Sequence, residues 1–114
     1  MHELSVTENI LDISLRYARE NNAKKINDIY LVIGDLSTIV DDSVQFYWNI
    51  ISDNTIAKDA CLHFKRIPAK LRCQECTTEY LLSESEFSCP HCNSNNVQII
   101  AGDEFYLEAI DIDH

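Results

Sequence analysis

The sequence predicts an α+β fold: a small mixed sheet of about three strands with two helices on one face, plus an inserted cysteine-rich module. Three observations carry this. Two stretches in the first half repeat apolar residues at helical spacing, three β-branched or aromatic runs read as strands, and two C-x-x-C pairs sit between the second and third of those runs. The last strand lies beyond the cysteines, so the module is an insertion and the final strand rejoins the first two.

From Leu4 to Tyr17, Val6, Ile10, Ile13 and Tyr17 form a stripe that Leu4, Leu11 and Ala18 widen. This predicts an amphipathic helix from Leu4 to about Asn21. Ser5-Val-Thr-Glu8 fits a capping box, although a start one turn earlier is equally consistent. After the polar hinge Asn21 to Lys25, the run Ile26 to Ile33 stops at Gly34 and reads as a strand with unequally buried faces. Asp41, Asp42 or Ser43 can cap a second helix, with Val44, Tyr47, Trp48 and Ile51 inward and an end near Asn54.

Ala60 to Ile67 alternates, Leu62 and Phe64 against Cys61, His63 and Lys65, and predicts a half-buried strand closed by Pro68. Lys70-Leu71-Arg72 then leads into the first cysteine pair. Beyond the second pair, Val97 to Ile100 is a short strand and Ala101-Gly102-Asp103 a turn. Phe105 to Ile112 alternates and then slips near Ala109, where a bulge or burial on both faces is expected. The division expected is 1–67 with 102–114 as the α/β part and 68–101 as the insert.

The pairs read Cys73-Gln-Glu-Cys76 and Cys89-Pro-His-Cys92, the spacing of a tetrahedral metal site. Two knuckles can aim four thiolates at one point, and four sulfurs suit zinc, with rubredoxin-like iron as the alternative. The insert is then zinc-ribbon-like. A filled Cys₄ set leaves no position for water or substrate, so the ion staples the fold. A segment this short buries too little apolar surface to fold unaided, and metal binding supplies what is missing. Cys61, the fifth cysteine, is expected to be a lone buried thiol.

The formal charge of −10 and pI near 4.6 point away from phosphate backbones and anionic membranes. Lys65, Arg66, Lys70 and Arg72 make only a small basic patch against that background. No apolar run approaches the ~20 residues that span a bilayer. With no signal-peptide pattern at the start, an odd cysteine count and thiolate-seeking knuckles, a cytoplasmic, reducing location is expected. Nothing resembles a catalytic set: there is no Gly-rich phosphate loop, no G-x-S-x-G and no carboxylate pair fixed by spacing. The chain reads as a binding protein and not as an enzyme. Asp41, Asp42, Asp111 and Asp113 read as solvated acids, His63 and His114 as solvated rings, and His91 as an exposed ring beside a complete sulfur set.

His2 raises a second metal question. A free terminal amine, the amide nitrogen of residue 2 and the His2 imidazole can close fused chelate rings, a nitrogen-rich set suited to Ni(II) or Cu(II). On residues alone, a solvated terminus is the ordinary alternative. The whole chain could equally be a zinc-ribbon adaptor that mediates protein–protein contact without a second metal.

Taken together, Met1-His2-Glu3-Leu4-Ser5, Ile33-Gly34-Asp35-Leu36-Ser37, Ile67-Pro68-Ala69, both knuckles and the closing strand resemble the hydrogenase nickel-incorporation proteins, the HypA/HybF family. The resemblance covers the whole chain. It implies a nickel metallochaperone that binds Ni(II) through Met1, His2 and the backbone at Glu3, and holds zinc through Cys73, Cys76, Cys89 and Cys92. It also implies work with the HypB GTPase to load the large subunit of [NiFe]-hydrogenase, with urease maturation factors as further partners of some members. Two departures stand out. Thr77 and Asn93 replace the Gly often found after each knuckle, and a β-branched Thr resists the left-handed conformation, so the first knuckle is expected to turn differently. Asp35 stands where Glu is common, which shortens its reach toward the nickel site.

Overall fold

The computed structural model describes residues 3–82 and 87–114. Its elements run α1 (Glu3–Glu20), β1 (Lys25–Gly34), α2 (Asp41–Ile51), β2 (Cys61–Ile67), β3 (Lys70–Cys73), β4 (Glu79–Leu81), β5 (Val97–Ala101) and β6 (Phe105–Asp113). They make two three-stranded sheets, ordered β2-β1-β6 and β4-β3-β5. The expected α+β arrangement of two helices, a small sheet and a Cys₄ module is the one formed. Two strands of the module, β3 and β4, were not expected.

The chain divides into two compact units, one comprising Met1–Val32, Thr38–Lys65 and Tyr106–His114, the other Ile33–Ser37 and Arg66–Phe105. In the first unit α1 packs on α2. Ile10, Leu11 and Ala18 of α1, Ile26, Ile29, Leu31 and Val32 of β1, and Val44 and Trp48 of α2 form its core. β1 is the central strand, which accounts for the full burial of its aliphatic residues Ile26, Ile29, Leu31 and Val32. β2 and β6 alternate between half-buried and exposed residues, so one face of the sheet is covered and the other meets solvent. In β6 the consecutive residues Glu108 and Ala109 are both exposed, which fits a bulge and not burial on both faces.

The buried face of α1 differs from the expected stripe. It is formed by Thr7, Ile10, Leu11, Ser14 and Ala18, whereas Leu4, Ile13 and Tyr17 are exposed. Two hydroxyls make this possible. Thr7 Oγ1 donates to the Glu3 carbonyl at 2.5 Å and Ser14 Oγ to the Ile10 carbonyl at 2.7 Å, so both polar groups are satisfied inside their own helix. Small, self-satisfied side chains then admit close packing where bulkier ones would not. The helix already includes Ser5, so the capping box does not start it. It ends on Asn22 at φ 55°, where Asn22 N–H donates to Arg19 O and Ala23 N–H to Ala18 O, a Schellman closure built on an asparagine.

α2 also starts without the expected side-chain cap. Its N-cap is Val40, which makes no side-chain cap hydrogen bond of its own, and the acids Asp41 and Asp42 in the first turn favour that end by charge. It stops at Ile51, three residues before the expected end, where Ser52 Oγ donates to Trp48 O at 2.6 Å. Val44 and Trp48 are buried as expected, Tyr47 and Ile51 only half so. Cys61 is exposed, contrary to expectation, because its strand parity is that of His63 and Lys65. His63 is not merely solvated: its Nε2 lies 2.8 Å from Asp28 Oδ1 and its ring stacks on Tyr30 at 4.6 Å. The Tyr30 hydroxyl donates in turn to Asp111 at 3.1 Å.

In the second unit β3 pairs antiparallel with both β4 and β5, placing Leu71 between Tyr80 and Ile99. Two glycines are required by close backbone approach. A Cβ on Gly34 would overlap the Gly102 carbonyl, and one on Gly102, at φ 107°, would lie 2.5 Å from Ala69 Cα. Around them Asp35 N–H donates to Ile67 O at 2.9 Å and Leu36 N–H to Gly102 O at 2.7 Å.

Candidate metal centre

Each knuckle is built by the same sequence of backbone bonds. Thr77 N–H donates to Cys73 O at 2.9 Å, and Asn93 N–H to Cys89 O at 2.8 Å. Cys73 N–H then reaches Thr78 O and Cys89 N–H reaches Ser94 O, each at 2.9 Å. Two residues past each first cysteine an amide points at its sulfur, Glu75 N–H to Cys73 Sγ at 3.4 Å and His91 N–H to Cys89 Sγ at 3.3 Å. Such donors stabilise negative sulfur. Thr77 and Asn93 take φ 62° and 63°, so the first knuckle turns as the second does, against the expectation that threonine would alter it. The strain of a β-branched side chain there is tolerated and not relieved.

The knuckles bring Cys73, Cys76, Cys89 and Cys92 together, with all four sulfurs within 4.8 Å of one another. Cys73 to Cys92 is 3.5 Å and Cys76 to Cys89 is 3.6 Å. A disulfide would require about 2.0 Å. Tetrahedral zinc at Zn–S of about 2.3 Å sets its sulfurs about 3.8 Å apart, so the residues fit Zn(II). Cys73 and Cys89 are buried, Cys76 half-buried and Cys92 exposed. Cys92 therefore lies on the solvent side of the set. His91 is exposed and not among the grouped ligands.

Four thiols this close cannot all ionise without a cation. Cys76 is held down to about 5, first by the hydroxyl of Thr78 at 3.2 Å and then by its backbone amide. Cys92 goes the other way: the Ser94 amide favours its thiolate, but the adjoining sulfurs, Cys73 first, together with the partial desolvation of an otherwise exposed group, push it up to about 12. A dication reverses this conflict by making every added thiolate favourable. On the neighbouring strands, Arg72 Nη2 and Lys70 Nζ hold Glu79 at 2.6 and 3.3 Å, which pins β3 to β4 beside the first knuckle. Those pairs occupy half of the small basic patch.

Of the residues expected to take nickel, Met1 and His2 lie outside the described residues. Glu3 opens α1, and its Oε2 accepts the Val40 N–H at 3.3 Å, tying the first turn of α1 to the start of α2. This contact between the two helix beginnings had no signal in the sequence. Among the described residues, the four cysteines are the only cluster of three or more metal-ligating side chains, and no helix is long and apolar enough to cross a membrane.

The family model for hydrogenase/urease nickel incorporation, metallochaperone, hypA, matches residues 1–112. A hydrogenase maturation factor HypA from Dehalococcoides mccartyi is 44% identical over 113 residues, covering 99% of this chain and 95% of its own. Another, from Caldanaerobacter subterraneus subsp. tengcongensis, is 39% identical over 114 residues, covering 99% and 100%. Among solved structures, the solution structure of the Ni metallochaperone HypA from Helicobacter pylori superposes with a TM-score of 0.68 at 25% identity, over 99% of this chain and 98% of that one. A second solution structure of a HypA protein gives 0.74 at 25% identity, over 98% and 96%. These are metallochaperones and maturation factors, not catalysts, in keeping with a sequence that holds no catalytic set. The chain belongs to the HypA family of nickel-incorporation metallochaperones, which acts in hydrogenase maturation.

Proposed function

We propose that this chain binds Ni(II) at an unblocked amino terminus, through the Met1 amine, the His2 amide and imidazole, and the backbone at Glu3, and delivers it to [NiFe]-hydrogenase. The observation that carries the reading is the nickel-incorporation family match, which begins at residue 1 and runs to residue 112. Hydrogenase is favoured over urease as the destination because the curated relatives cited are hydrogenase maturation factors. Zinc in the Cys₄ set is structural, and residues 68–101 fold around it. The work takes place in the cytoplasm, with the HypB GTPase and the hydrogenase large subunit as partners.

The chemistry of the two donor sets supports this division. Four thiolates close a zinc coordination sphere and leave nothing for a receiver to attack. An amine, amide nitrogens and one imidazole suit Ni(II) and make an incomplete set, which a receiving protein can complete with its own ligand. Amine and imidazole must lose protons to coordinate, so nickel affinity falls as pH drops and loading releases protons.

The test is a Ni(II) titration of untagged protein beside a His2→Ala variant and a form with residues added before Met1. The extension converts the amine to an amide and moves His2 out of chelating register. Both altered forms should lose nickel binding to a similar degree while keeping zinc and fold. Equal affinity in tagged and untagged protein would move the site elsewhere, to His63, His91 or the thiolates. One zinc per chain in a colourless preparation removes the iron alternative.

A further inference from the structure

α2 has two unlike apolar faces. Val44 and Trp48 point inward at 0% and 1% exposure, while Phe46 and Ile50 point outward at 59% each. Positions four apart lie on one ridge of a helix, so Phe46 and Ile50 are neighbours. Asp42 extends the ridge one turn before Phe46, and Asp53 stands just past the helix end, three residues after Ile50; both are exposed. Phe46 is braced by Tyr47, whose ring meets it edge-on at 5.3 Å. A large aromatic, a type enriched at interfaces, and a branched aliphatic beside it, both on a rigid helix and left exposed, form an apolar pair that a partner can bury.

We propose that this outward ridge of α2 docks a partner protein through an apolar groove with lysine or arginine at both ends. The charge pattern selects that occupant. Asp42 and Asp53 bracket the apolar pair, and among the described residues the cation set against them is Lys58, 3.8 Å from Asp53 and itself exposed. A second copy would bring two chains of formal charge −10 together and set acid against acid. An anionic membrane is disfavoured for the same reason. The inference rests on the delivery reading, since it assigns a surface to the partner which that reading requires.

The test uses the HypB GTPase as probe, with affinity measured by calorimetry for the wild type, Phe46→Ser with Ile50→Ser, and Asp42→Lys with Asp53→Lys. The serine pair should weaken binding by about tenfold or more, because it removes the buried anchors. The lysine pair should weaken it at low salt, with the difference from wild type shrinking as salt screens the charges. Both pairs change exposed side chains, and retained helical circular dichroism reports the fold; Asp42→Lys also reverses a favourable charge in the first turn of α2, so a small drop in melting temperature is expected of the lysine pair alone. Wild-type affinity in the serine pair overturns the docking surface and leaves the delivery reading intact. Failure of the wild type itself to bind the GTPase overturns the partner reading, and this surface with it. A wild-type dimer that the serine pair dissociates, at unchanged GTPase affinity, assigns the ridge to a second copy instead.

Discussion

Thr77→Gly should tighten zinc binding. Thr77 sits at φ 62°, where a side chain bearing Cβ costs roughly 1–2 kcal/mol and glycine almost nothing. Two effects oppose the gain. Glycine adds about 0.4–1 kcal/mol of unfolded-chain freedom, and the substitution deletes the exposed bond from Thr77 Oγ1 to Cys76 O, worth about 0.5 kcal/mol. The terms sum to between about −0.5 and about +1 kcal/mol, a small net stabilisation at their midpoints. Asn93→Gly is the internal control, since Asn93 has nearly the same φ in the matching turn but tolerates it better. Its net should be close to zero or slightly unfavourable, leaving the two variants about 0.5–1 kcal/mol apart. In a unit whose metal-binding free energy is largely folding free energy, that gap is a twofold to fivefold difference in zinc affinity. Competition against a chromophoric chelator reads it directly. If Thr77→Gly binds zinc no more tightly than Asn93→Gly, the strain assigned to the first knuckle is not there.

Three further outcomes are expected. Gly34→Ala and Gly102→Ala should each destabilise the unit that contains them by about 2–4 kcal/mol, because a Cβ meets backbone and not a movable side chain, as thermal melts would report. Trp48→Ala should cost about 3–5 kcal/mol in urea unfolding, and Trp48→Phe distinctly less than its lost volume suggests, since it also removes a buried Nε1–H that has no hydrogen-bond partner among the described residues. Cys76→Ser or complete chelation should unfold residues from about 68 to 102 and leave the α/β part standing; unchanged amide protection across that segment after zinc removal would refute a structural role for the metal.

Most elements were legible because each carries its own period. The apolar repeats of α1 and α2, the aliphatic run of β1 and the alternation of β2 and β6 depend on neighbours only for their partners. The knuckles were legible for a different reason: tetrahedral sulfur coordination tolerates few spacings, so Cys73 to Cys92 declares its geometry in one dimension. What the sequence hid was decided by contacts. Hydropathy put Ile13 and Tyr17 in the core of α1, but Thr7 and Ser14 took that place after satisfying their own hydroxyls. β3 and β4 escaped notice because four and three residues are too short to display a period. The general burial of thiols points Cys61 inward, while the parity of its own strand turns it outward.

Thr77 shows why a departure from a family habit needs weighing and not just noting. The left-handed residue after a knuckle lets its N–H return to the first cysteine's carbonyl, and the amide two residues past that cysteine points at its sulfur. Abandoning the turn would leave Cys73 without a donor that its thiolate needs, a loss larger than the steric cost of threonine at φ 62°. The unit has little else to trade. Apart from the cysteines, its buried apolar residues are Ile33, Ala69 and Leu71, while Leu81, Phe87 and Ile99 remain exposed. With so thin a core, the metal and its two turns set the conformation, and an unfavourable residue is carried along with them.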